Sequence, residues 1–483
     1  MKIVLVLLVA LFLATAAGAG APVVLDLPEA TMMPMGPALP PPLLNLLPFG
    51  DSLSDSGNVF LFTQGAEPDP LHYWQGRWSN NQVWTEQLAG YMGMKNTVLL
   101  AQVMGGAPVP APPLLFLNSA FGGAQTGQGF MNFLLQIGVW TDAQMPIPDN
   151  SLVTVWIGAN DFLSADLSSQ EQVAAVIGTA VTNIITGLTE LCDNLGAQNV
   201  AILNLPDLGA TPRMNGTPEG RAMGRALSEN FNGALAQALA GFIAQHPLVK
   251  LYQIDIFTYF DDLLENPAKY GFTNTTQSAL AQGKTFDTAA GFIFWDDIHP
   301  TTQAHQRLAL EVYGQIFIGS LNPNMQYIKT MFCQAPVLGV TPVNGNLDGT
   351  GFSDPMQTNA NGRPENMMFG LMTVNMSCNA GATVEWTISL PWALPQGYSW
   401  YKYMNGSWID FAAVWEASGG LQGALISQDR RTVTVRVMDN GAYDMNNMLG
   451  QVLDPTGGGV PAQTPGNNGH SSSSSCFLKT LFR

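Results

Sequence analysis

Hydrophobic positions divide the chain into two parts with different periodicities. From residue 43 to about residue 321, short apolar runs alternate with segments whose apolar residues recur at helical spacing. The apolar runs cover residues 43–49, 152–157, 199–203 and 250–256. Alternating strands and helices are typical of a parallel sheet covered on both faces. We therefore predict an α/β domain over residues 43–322.

Three helix starts in this part carry recognisable signals. They are the capping box of Ser168 and Glu171, the pair Thr217 and Pro218, and Thr301 or Thr302. The second of these helices is expected to run to about residue 246.

After about residue 322 the periodicity changes from helical to alternating. The alternating apolar residues are Val384, Trp386, Ile388 and Leu390, followed later by Val433, Val435 and Val437. Alternation with one polar face indicates antiparallel strands. We predict a small β-sandwich over residues 335–456 and a flexible Gly/Ser-rich tail over residues 457–483.

The N-terminal residues have the pattern of a secretory signal peptide. A lysine at position 2, an apolar core and a run of small residues predict cleavage after Ala19, which gives a signal peptide over residues 1–19. Residues 20–42 then form a Pro-rich leader. No other stretch reaches the length needed to span a membrane, so we expect a secreted or cell-surface protein, of bacterial origin.

Composition excludes two classes of function. The 483 residues have a net charge of -17, and only 11% are charged. Binding to nucleic acid needs clustered Lys and Arg, which the chain lacks, so no nucleic-acid partner is expected. A hydrophobic fraction of 46% also argues against a largely disordered chain.

The four cysteines and the acidic loops do not predict a metal site. Cys333 and Cys378 lie close enough in the sequence to form a disulfide, whereas Cys192 is read as a buried free thiol. The loop that starts at Asn344 resembles a calcium loop, but Pro355 stands where the last ligand would be. A zinc or redox motif is therefore unsupported, and a calcium site of this kind is not expected.

A candidate nucleophile follows the first apolar run. Ser52 stands in the segment Gly50-Asp51-Ser52-Leu53, past the carboxyl end of a predicted strand, where α/β folds place their sites. Backbone N–H groups at such a turn could stabilise an oxyanion. The competing interpretation is a serine that only caps a helix.

His299 is the candidate base, because Asp296 stands three residues before it. At this spacing a carboxylate can hold one ring nitrogen and leave the other to accept the serine proton. The alternative is a solvated surface turn. Asp297 competes for the orienting role, His305 is expected to be structural, and no acid at useful spacing is expected for His72 or His246.

Two further segments offer oxyanion donors. Asn160 follows the apolar run 152–157 directly, and the pair Gly122 and Gly123 lies in a short turn after Asn118. Either segment alone is more typical of an ordinary turn. Because both segments lie in one α/β region with Ser52 and His299, the combination favours a role in binding an oxyanion.

These spaced blocks resemble the GDSL/SGNH hydrolase family. The resemblance rests on GDSLSDSGN around Ser52, the Gly pair, GAND at 158–161 and DxxH at 296–299, and it covers residues ~44–320. Residues 76–84 and 204–212 are similar to segments of its plant-lipase-like and thermolabile-haemolysin-like branch. No G-x-S-x-G elbow is present, which disfavours the α/β-hydrolase class.

The resemblance implies a fold, an activity and residue roles. The fold is a three-layer α/β/α sandwich with a parallel sheet, and no metal or cofactor is required. Ser52 is the nucleophile, His299 the base and then the acid, and Asp296 its orienter. The N–H groups of Ser52 and Gly123 and the amide of Asn160 form the oxyanion hole. The implied activity is that of an esterase or lipase, with phospholipase or acyltransferase activity included, on small-molecule or lipid esters.

Two alternatives stay open at the level of sequence. One is a carbohydrate O-acetyl esterase, which would share these residues and differ only in pocket shape. The loop 101–117 is expected to help set pocket length. The other is a catalytically inert surface adhesin. The second part of the chain resembles β modules that precede anchoring signals in bacterial surface proteins, so Cys476 in the tail suggests cell-surface association.

Overall fold

The computed structural model describes eight stretches of the chain. These are residues 25–26, 43–94, 96–318, 325–329, 337–367, 369–391, 393–446 and 448–462. The expected signal peptide, most of the leader, Cys333, Cys476 and the tail after residue 462 lie outside them.

The first part of the chain is built on a seven-stranded sheet. In chain order its strands are β1 (Leu25–Asp26), β2 (Asn45–Gly50), β3 (Asn96–Leu99), β4 (Phe116–Asn118), β5 (Ser151–Trp156), β6 (Asn199–Leu203) and β7 (Lys250–Ile254). Their order across the sheet is β1-β3-β4-β2-β5-β6-β7. All neighbours are parallel except β1 and β3, so an antiparallel edge strand is added to the parallel sheet that the sequence predicts.

Helices cover both faces of this sheet. They are α1 (Asn58–Phe62), α2 (Trp84–Tyr91), α3 (Leu100–Met104), α4 (Phe133–Asp142), α5 (Ala159–Leu163), α6 (Gln170–Thr189), α7 (Pro218–Gln245), α8 (Ile256–Glu265), α9 (Pro267–Tyr270) and α10 (Thr302–Tyr313). On β2, Leu47 and Phe49 pack with α4, α6 and α7, whereas Leu46 packs with α2 and α10 on the opposite face. The three-layer α/β/α fold is confirmed.

The helix starts agree closely with the sequence signals. Thr217 caps α7 by accepting from Gly220 N, and Thr301 caps α10 by accepting from Ala304 N. At α6 the cap is Ser169, one residue later than expected. Strands β3 and β4 were not predicted, because runs of four and three residues carry too little periodicity.

Helix α6 corrects one expectation. Together with the turn that continues it to Asn194, it is long and apolar enough to cross a membrane by length and composition alone. Its residues Ile177, Ile184 and Leu188 belong to the core against the sheet. A helix that packs in this way is an element of the α/β domain.

The second part of the chain is a sandwich of two five-stranded antiparallel sheets. One sheet has the order β10-β11-β14-β18-β17 and the other β12-β13-β19-β15-β16. These strands are β10 (Gln326–Lys329), β11 (Val337–Pro342), β12 (Asn346–Ser353), β13 (Leu371–Ser377), β14 (Thr383–Ser389), β15 (Ser399–Met404), β16 (Ser407–Asp410), β17 (Gly423–Ile426), β18 (Thr432–Met438) and β19 (Gln451–Gly459). Helix α11 (Phe411–Ala417) follows β16. Within the first part, between α9 and α10, β8 (Asn274–Ser278) and β9 (Phe292–Phe294) form a separate parallel pair.

Both expected limits of the sandwich need correction. Strand β10 precedes residue 335, and β19 continues through the three glycines at 457–459, which were assigned to the flexible tail. These glycines are buried, and their neighbours leave no room for side chains at these positions. A Cβ at Gly458 would lie 3.0 Å from the ring of Trp400, and one at Gly457 would lie 2.6 Å from the carbonyl oxygen of Gly370.

The cysteines are only partly covered by the structure. Cys192 and Cys378 are both half-buried, and neither forms a disulfide with another described residue. Burial raises the pKa of Cys192 to about 12, which disfavours the thiolate form. The proposed pairing of Cys333 with Cys378 involves a residue outside the described stretches and stays a prediction.

Candidate active site

The nucleophile turn lies where two central strands end. Gly50 of β2 pairs with Trp156 of β5, so the segments that carry Ser52 and Asn160 leave the sheet side by side. The buried amide of Gln136 on α4 holds this turn at both polar atoms of Gly50. It accepts from Gly50 N at 3.0 Å and donates to Gly50 O at 2.8 Å. Nothing in the sequence around Gln136 indicated this role.

Ser52, His299 and Asp296 form a continuous hydrogen-bonded chain. Ser52 Oγ lies 2.9 Å from His299 Nε2, and His299 Nδ1 lies 2.6 Å from Asp296 Oδ2. All three side chains are buried although they come from segments about 245 residues apart. The imidazole is therefore held in the tautomer that can accept the serine proton at Nε2.

The carboxylate of Asp296 is held in its charged form. Burial alone would raise its pKa, but the neighbouring His299 and hydrogen bonds from the N–H groups of His299 and Ile298 lower the pKa to about 2. Tyr73 donates a further bond to Asp296 Oδ2 at 2.7 Å. Tyr73 was missed by the sequence analysis because 223 residues separate it from Asp296. Asp297, the competing orienter, instead pairs with Arg213.

The segment 76–81 holds the loop that carries His299. Ser79 Oγ donates to the carbonyl oxygen of Pro300 at 2.9 Å, and Asn80 Oδ1 accepts from Thr302 N at 2.8 Å. The indole of Trp78 packs against the imidazole of His299 at a centroid distance of 5.3 Å. This segment, identified by resemblance, therefore positions the base.

Two backbone N–H groups and one side-chain amide at Ser52 are available to an oxyanion. Gly122 N donates to Asp55 Oδ2 at 2.9 Å, whereas Gly123 N and Ser52 N have no hydrogen-bond partner among the described residues. Asn160 donates one amide hydrogen to the carbonyl oxygen of Ala124 at 3.0 Å, and its second hydrogen remains available. Because Gly122 N is already bonded to Asp55, Gly123 is favoured over Gly122 as the backbone donor.

The turn of Gly122 also contacts the base. A Cβ at Gly122 would lie 2.2 Å from Trp78 Nε1, so the indole reaches His299 only because this residue is glycine. The buried carboxylate of Asp55, which receives Gly122 N, also receives N–H groups from Gly57 and Asn58. Asp55 thereby links the nucleophile segment to the glycine turn.

A large apolar pocket opens at Ser52. Its enclosed volume is about 90 Å³, or about 1030 Å³ when the open space at its mouth is counted, and Ser52, Asn160 and His299 all line it. The rest of its wall comes from residues 205–214, from α8 and from the start of α10. The loop 101–117, expected to set pocket length, contributes no lining residue in the described pocket, which corrects that expectation.

Two other histidines carry acids that the sequence analysis overlooked. Asp69 stands three residues before His72, and the Nδ1–Oδ2 distance is 2.6 Å, the same as in the His299 pair. His246 Nε2 lies 3.3 Å from Asp193 Oδ1. The exposed His72 has no serine beside it among the described contacts, so its acid serves no nucleophile.

His305 is a second imidazole in the pocket wall. It is buried, and neither ring nitrogen has a hydrogen-bond partner among the described residues. Burial lowers its pKa to about 3, so the ring is neutral at physiological pH. It is the polar side chain in the part of the pocket wall that α10 forms with Ala304 and Leu308.

Asp51, next to the nucleophile, gives a testable pH dependence of stability. Burial raises its pKa from 3.8 to about 7, so the folded protein binds this proton more tightly than the unfolded chain does. The resulting contribution to the free energy of unfolding is complete below pH 3.8 and is lost as the pH rises through 7. In Asp51→Asn the amide oxygen can still accept from Leu53 N, as Oδ1 does at 3.0 Å. We expect the melting temperature of this variant to fall less between pH 4 and pH 7 than that of the wild type.

Calorimetry over this pH range checks the expectation. Asp142→Asn, which removes an exposed carboxylate from the end of α4, is the matched control and should keep the wild-type slope. An unchanged slope in Asp51→Asn would show that Asp51 does not govern the pH dependence.

No site for a metal was found within the described stretches, where His, Cys, Asp and Glu side chains form no group of three or more able to hold an ion. The geometry of Ser52, His299 and Asp296 is that of nucleophilic catalysis by a serine. The arrangement can therefore perform acyl transfer with side chains and backbone groups alone.

The chain is similar to known proteins over its first part. The family model of the GDSL-like Lipase/Acylhydrolase matches residues 46–312. A phosphatidylcholine-sterol acyltransferase of Aeromonas hydrophila is 25% identical over 56% of this chain and 89% of its own length. A thermolabile hemolysin of Vibrio parahaemolyticus is 28% identical over 56% of this chain and 64% of its own length.

A lipase/acylhydrolase from Enterococcus faecalis is a structural neighbour, with 15% identity and a TM-score of 0.30 over 56% of this chain and 93% of its own. The family match is the decisive comparison, because it covers more than half of the chain and includes every residue of the site. The chain belongs to the GDSL-like lipase/acylhydrolase family and is a carboxylic ester hydrolase.

Proposed function

We propose that this protein is an exported serine esterase of the lipase type, which hydrolyses esters of long-chain acids through an acyl-enzyme on Ser52. The observation that carries the proposal is the hydrogen-bonded chain from Ser52 to Asp296 at the mouth of a large apolar pocket. Attack by a serine requires a base within hydrogen-bond reach, and His299 Nε2 lies 2.9 Å away.

The reaction divides into two steps of acyl transfer. His299 Nε2 takes the proton of Ser52 as its Oγ attacks the ester carbonyl, and the ionised Asp296 stabilises the resulting imidazolium. The negative oxygen of the tetrahedral intermediate receives bonds from Ser52 N, Gly123 N and the Asn160 amide. Protonated His299 then gives its proton to the leaving alcohol, and water activated by the same imidazole releases the acid.

The pocket favours a long acyl chain over an acetyl group. An acetyl ester would leave most of the apolar wall formed by residues 205–214 and α8 uncovered, whereas each methylene buried against this wall contributes about 0.8 kcal/mol. This supports a fatty acyl ester over the carbohydrate O-acetyl alternative. Transfer of the acyl group to a second alcohol in place of water would use the same acyl-enzyme.

Export and surface association belong to the same proposal. They rest on the signal-peptide pattern of residues 1–19 and on the resemblance of the β module to those that precede anchoring signals. N-terminal sequencing of the protein from the culture medium or the cell envelope tests export, and the expected mature N-terminus is Gly20.

Hydrolysis of nitrophenyl esters of increasing chain length tests the substrate class. We expect kcat/KM to rise from acetyl to long-chain esters. Phe260 on α8 lines the pocket and packs edge to face with Phe294. In Phe260→Trp, the larger ring should displace about two methylenes, which corresponds to a loss of roughly ten-fold for the longest esters.

Phe257→Trp is the matched control, because Phe257 lies on the same helix but does not line the pocket, and Arg225 covers its ring instead. Its chain-length profile should equal that of the wild type. An acetyl ester as the best substrate of the wild-type protein would overturn the long-chain assignment and favour the O-acetyl esterase.

A further inference from the structure

A lysine and an aspartate meet inside the β-sandwich. Lys402 lies on β15 and Asp454 on β19, which are neighbouring strands of one sheet. The register pairs Lys402 with Thr456, so Asp454 is its diagonal neighbour on the same face of the sheet. This is the inner face, because Trp400 and Val452, two residues before each of them, belong to the core between the sheets.

The pair is fully enclosed. Both side chains are 0% exposed, and Lys402 Nζ is in direct contact with Asp454 Oδ1. The ring of Phe411 lies 5.4 Å from the amine and closes the site from the side of α11. An ordinary surface ion pair would keep both charged ends in contact with water, which this pair does not.

As an ion pair this arrangement is poorly satisfied. Among the described residues, Asp454 Oδ2 has no hydrogen-bond partner, and Asp454 Oδ1 is the only acceptor in contact with Lys402 Nζ. An ammonium has three hydrogens to donate, and a carboxylate has two oxygens to satisfy. Buried charges with so few partners carry a large desolvation penalty.

Amide formation requires a protonated carboxyl and a free amine. Burial raises the pKa of the Asp454 carboxyl, the neighbouring Lys402 lowers it and Asp444 raises it, and the net shift is upward. A protonated carboxyl is an electrophile, and transfer of one proton within the pair would leave Lys402 as a free amine. The nucleophile and the electrophile are thus in contact in a site that excludes water.

We propose that Lys402 and Asp454 are joined by an intramolecular isopeptide bond. Lys402 Nζ attacks Asp454 Cγ, a C–N bond forms, the C–O bond to one carboxyl oxygen breaks, and that oxygen leaves as water. The ammonium and carboxylate together supply three hydrogens, of which one stays on the amide nitrogen and two leave with the oxygen. No oxidant, metal or further reactant is needed.

The bond would be a covalent cross-link between β15 and β19, which are 52 residues apart at the joined positions. It would replace two buried charges by a neutral amide. A cross-link that closes a loop of this length restricts the unfolded chain, as a disulfide does, and would hold the module together outside the cell without a disulfide. This inference is independent of the chemistry at Ser52.

Peptide mass mapping of the purified full-length protein tests the bond. After denaturation and trypsin digestion, we expect no cleavage after residue 402, because the lysine amine is acylated. We also expect a branched peptide that contains both residues and is lighter by one water than the sum of its two arms. The tryptic peptide 432–436, which lies in the same module and contains neither residue, serves as an internal reference and should keep its full mass.

Two variants complete the test. Lys402→Met should abolish the branched peptide, whereas Lys250→Met, which removes an exposed lysine from β7, should retain it. The mapping is done under denaturing conditions, so the wild-type result stands even if Lys402→Met folds poorly. Tryptic cleavage at Lys402 in the wild type, together with an Asp454 peptide of full mass, would overturn the proposal.

Discussion

Replacement of Ser52 by alanine is expected to lower kcat/KM for long-chain nitrophenyl esters by roughly 10⁴-fold or more. The variant lacks the only oxygen that His299 Nε2 contacts among the described residues, and therefore cannot form the acyl-enzyme. The pocket wall remains intact, so binding of a long-chain substrate should change little. Loss of kcat with a nearly constant dissociation constant separates this role from a merely structural one.

Single-turnover kinetics and equilibrium binding of a non-hydrolysable long-chain ether provide the two measurements. Ser164→Ala is the control, because Ser164 is an exposed serine at the end of the helix that carries Asn160. It should retain full activity. Turnover by Ser52→Ala at even a tenth of the wild-type rate would rule out Ser52 as the nucleophile.

Replacement of His299 by alanine is expected to have an effect of similar size, again roughly 10⁴-fold or more in kcat/KM. Without the imidazole the serine proton has no acceptor. Asp296 cannot replace His299, because the imidazole ring separates the carboxylate from Ser52. The cost should appear in kcat with every chain length, because the base acts on the serine and not on the acyl chain. Rates measured over the whole ester series check this.

His72→Ala is an unusually close control for His299→Ala. Both histidines follow an aspartate by three residues, and both Nδ1–Oδ2 distances are 2.6 Å. Only His299 contacts a serine. We expect His72→Ala to keep wild-type rates; an equal loss in both variants would point to a general effect on folding, and the assignment of His299 would fail.

These two pairs also show what sequence can predict about a site. Three residues of spacing are enough to bring a carboxylate to an imidazole, so the contact of Asp296 with His299 was predictable from local geometry. The same geometry forms at Asp69 and His72. What distinguishes the two is the neighbouring Ser52, which comes from the end of β2, and its approach depends on how strands and loops assemble across the whole domain.

Long-range partners were beyond the sequence for the same reason. Tyr73 reaches Asp296, and Gln136 holds Gly50, through contacts between segments 223 and 86 residues apart that leave no periodic pattern. The pocket wall, expected from the loop 101–117, comes from α8, α10 and residues 205–214. By contrast, the layers of the fold were predictable, because alternating apolar runs and helical segments reflect burial on both faces of the sheet.

At one place the composition of the chain suggests a structure that it does not form. The three glycines at 457–459 have the character of a linker, but they form the end of β19 because Trp400 and the backbone of Gly370 occupy the space of their side chains. Glycine in a strand often marks such a close approach. The distinction between a linker and a tightly packed strand lies in residues far along the chain.

The contact between Gly122 and Trp78 has a consequence for divergence within the family. A methyl group at position 122 would collide with the indole that packs on His299, so the glycine turn and the base loop cannot change independently. Relatives that carry a bulkier residue at the position of Gly122 should have a smaller one at the position of Trp78. These two positions would then evolve as a compensating pair, and the aromatic cover of the catalytic imidazole would be inherited together with the glycine.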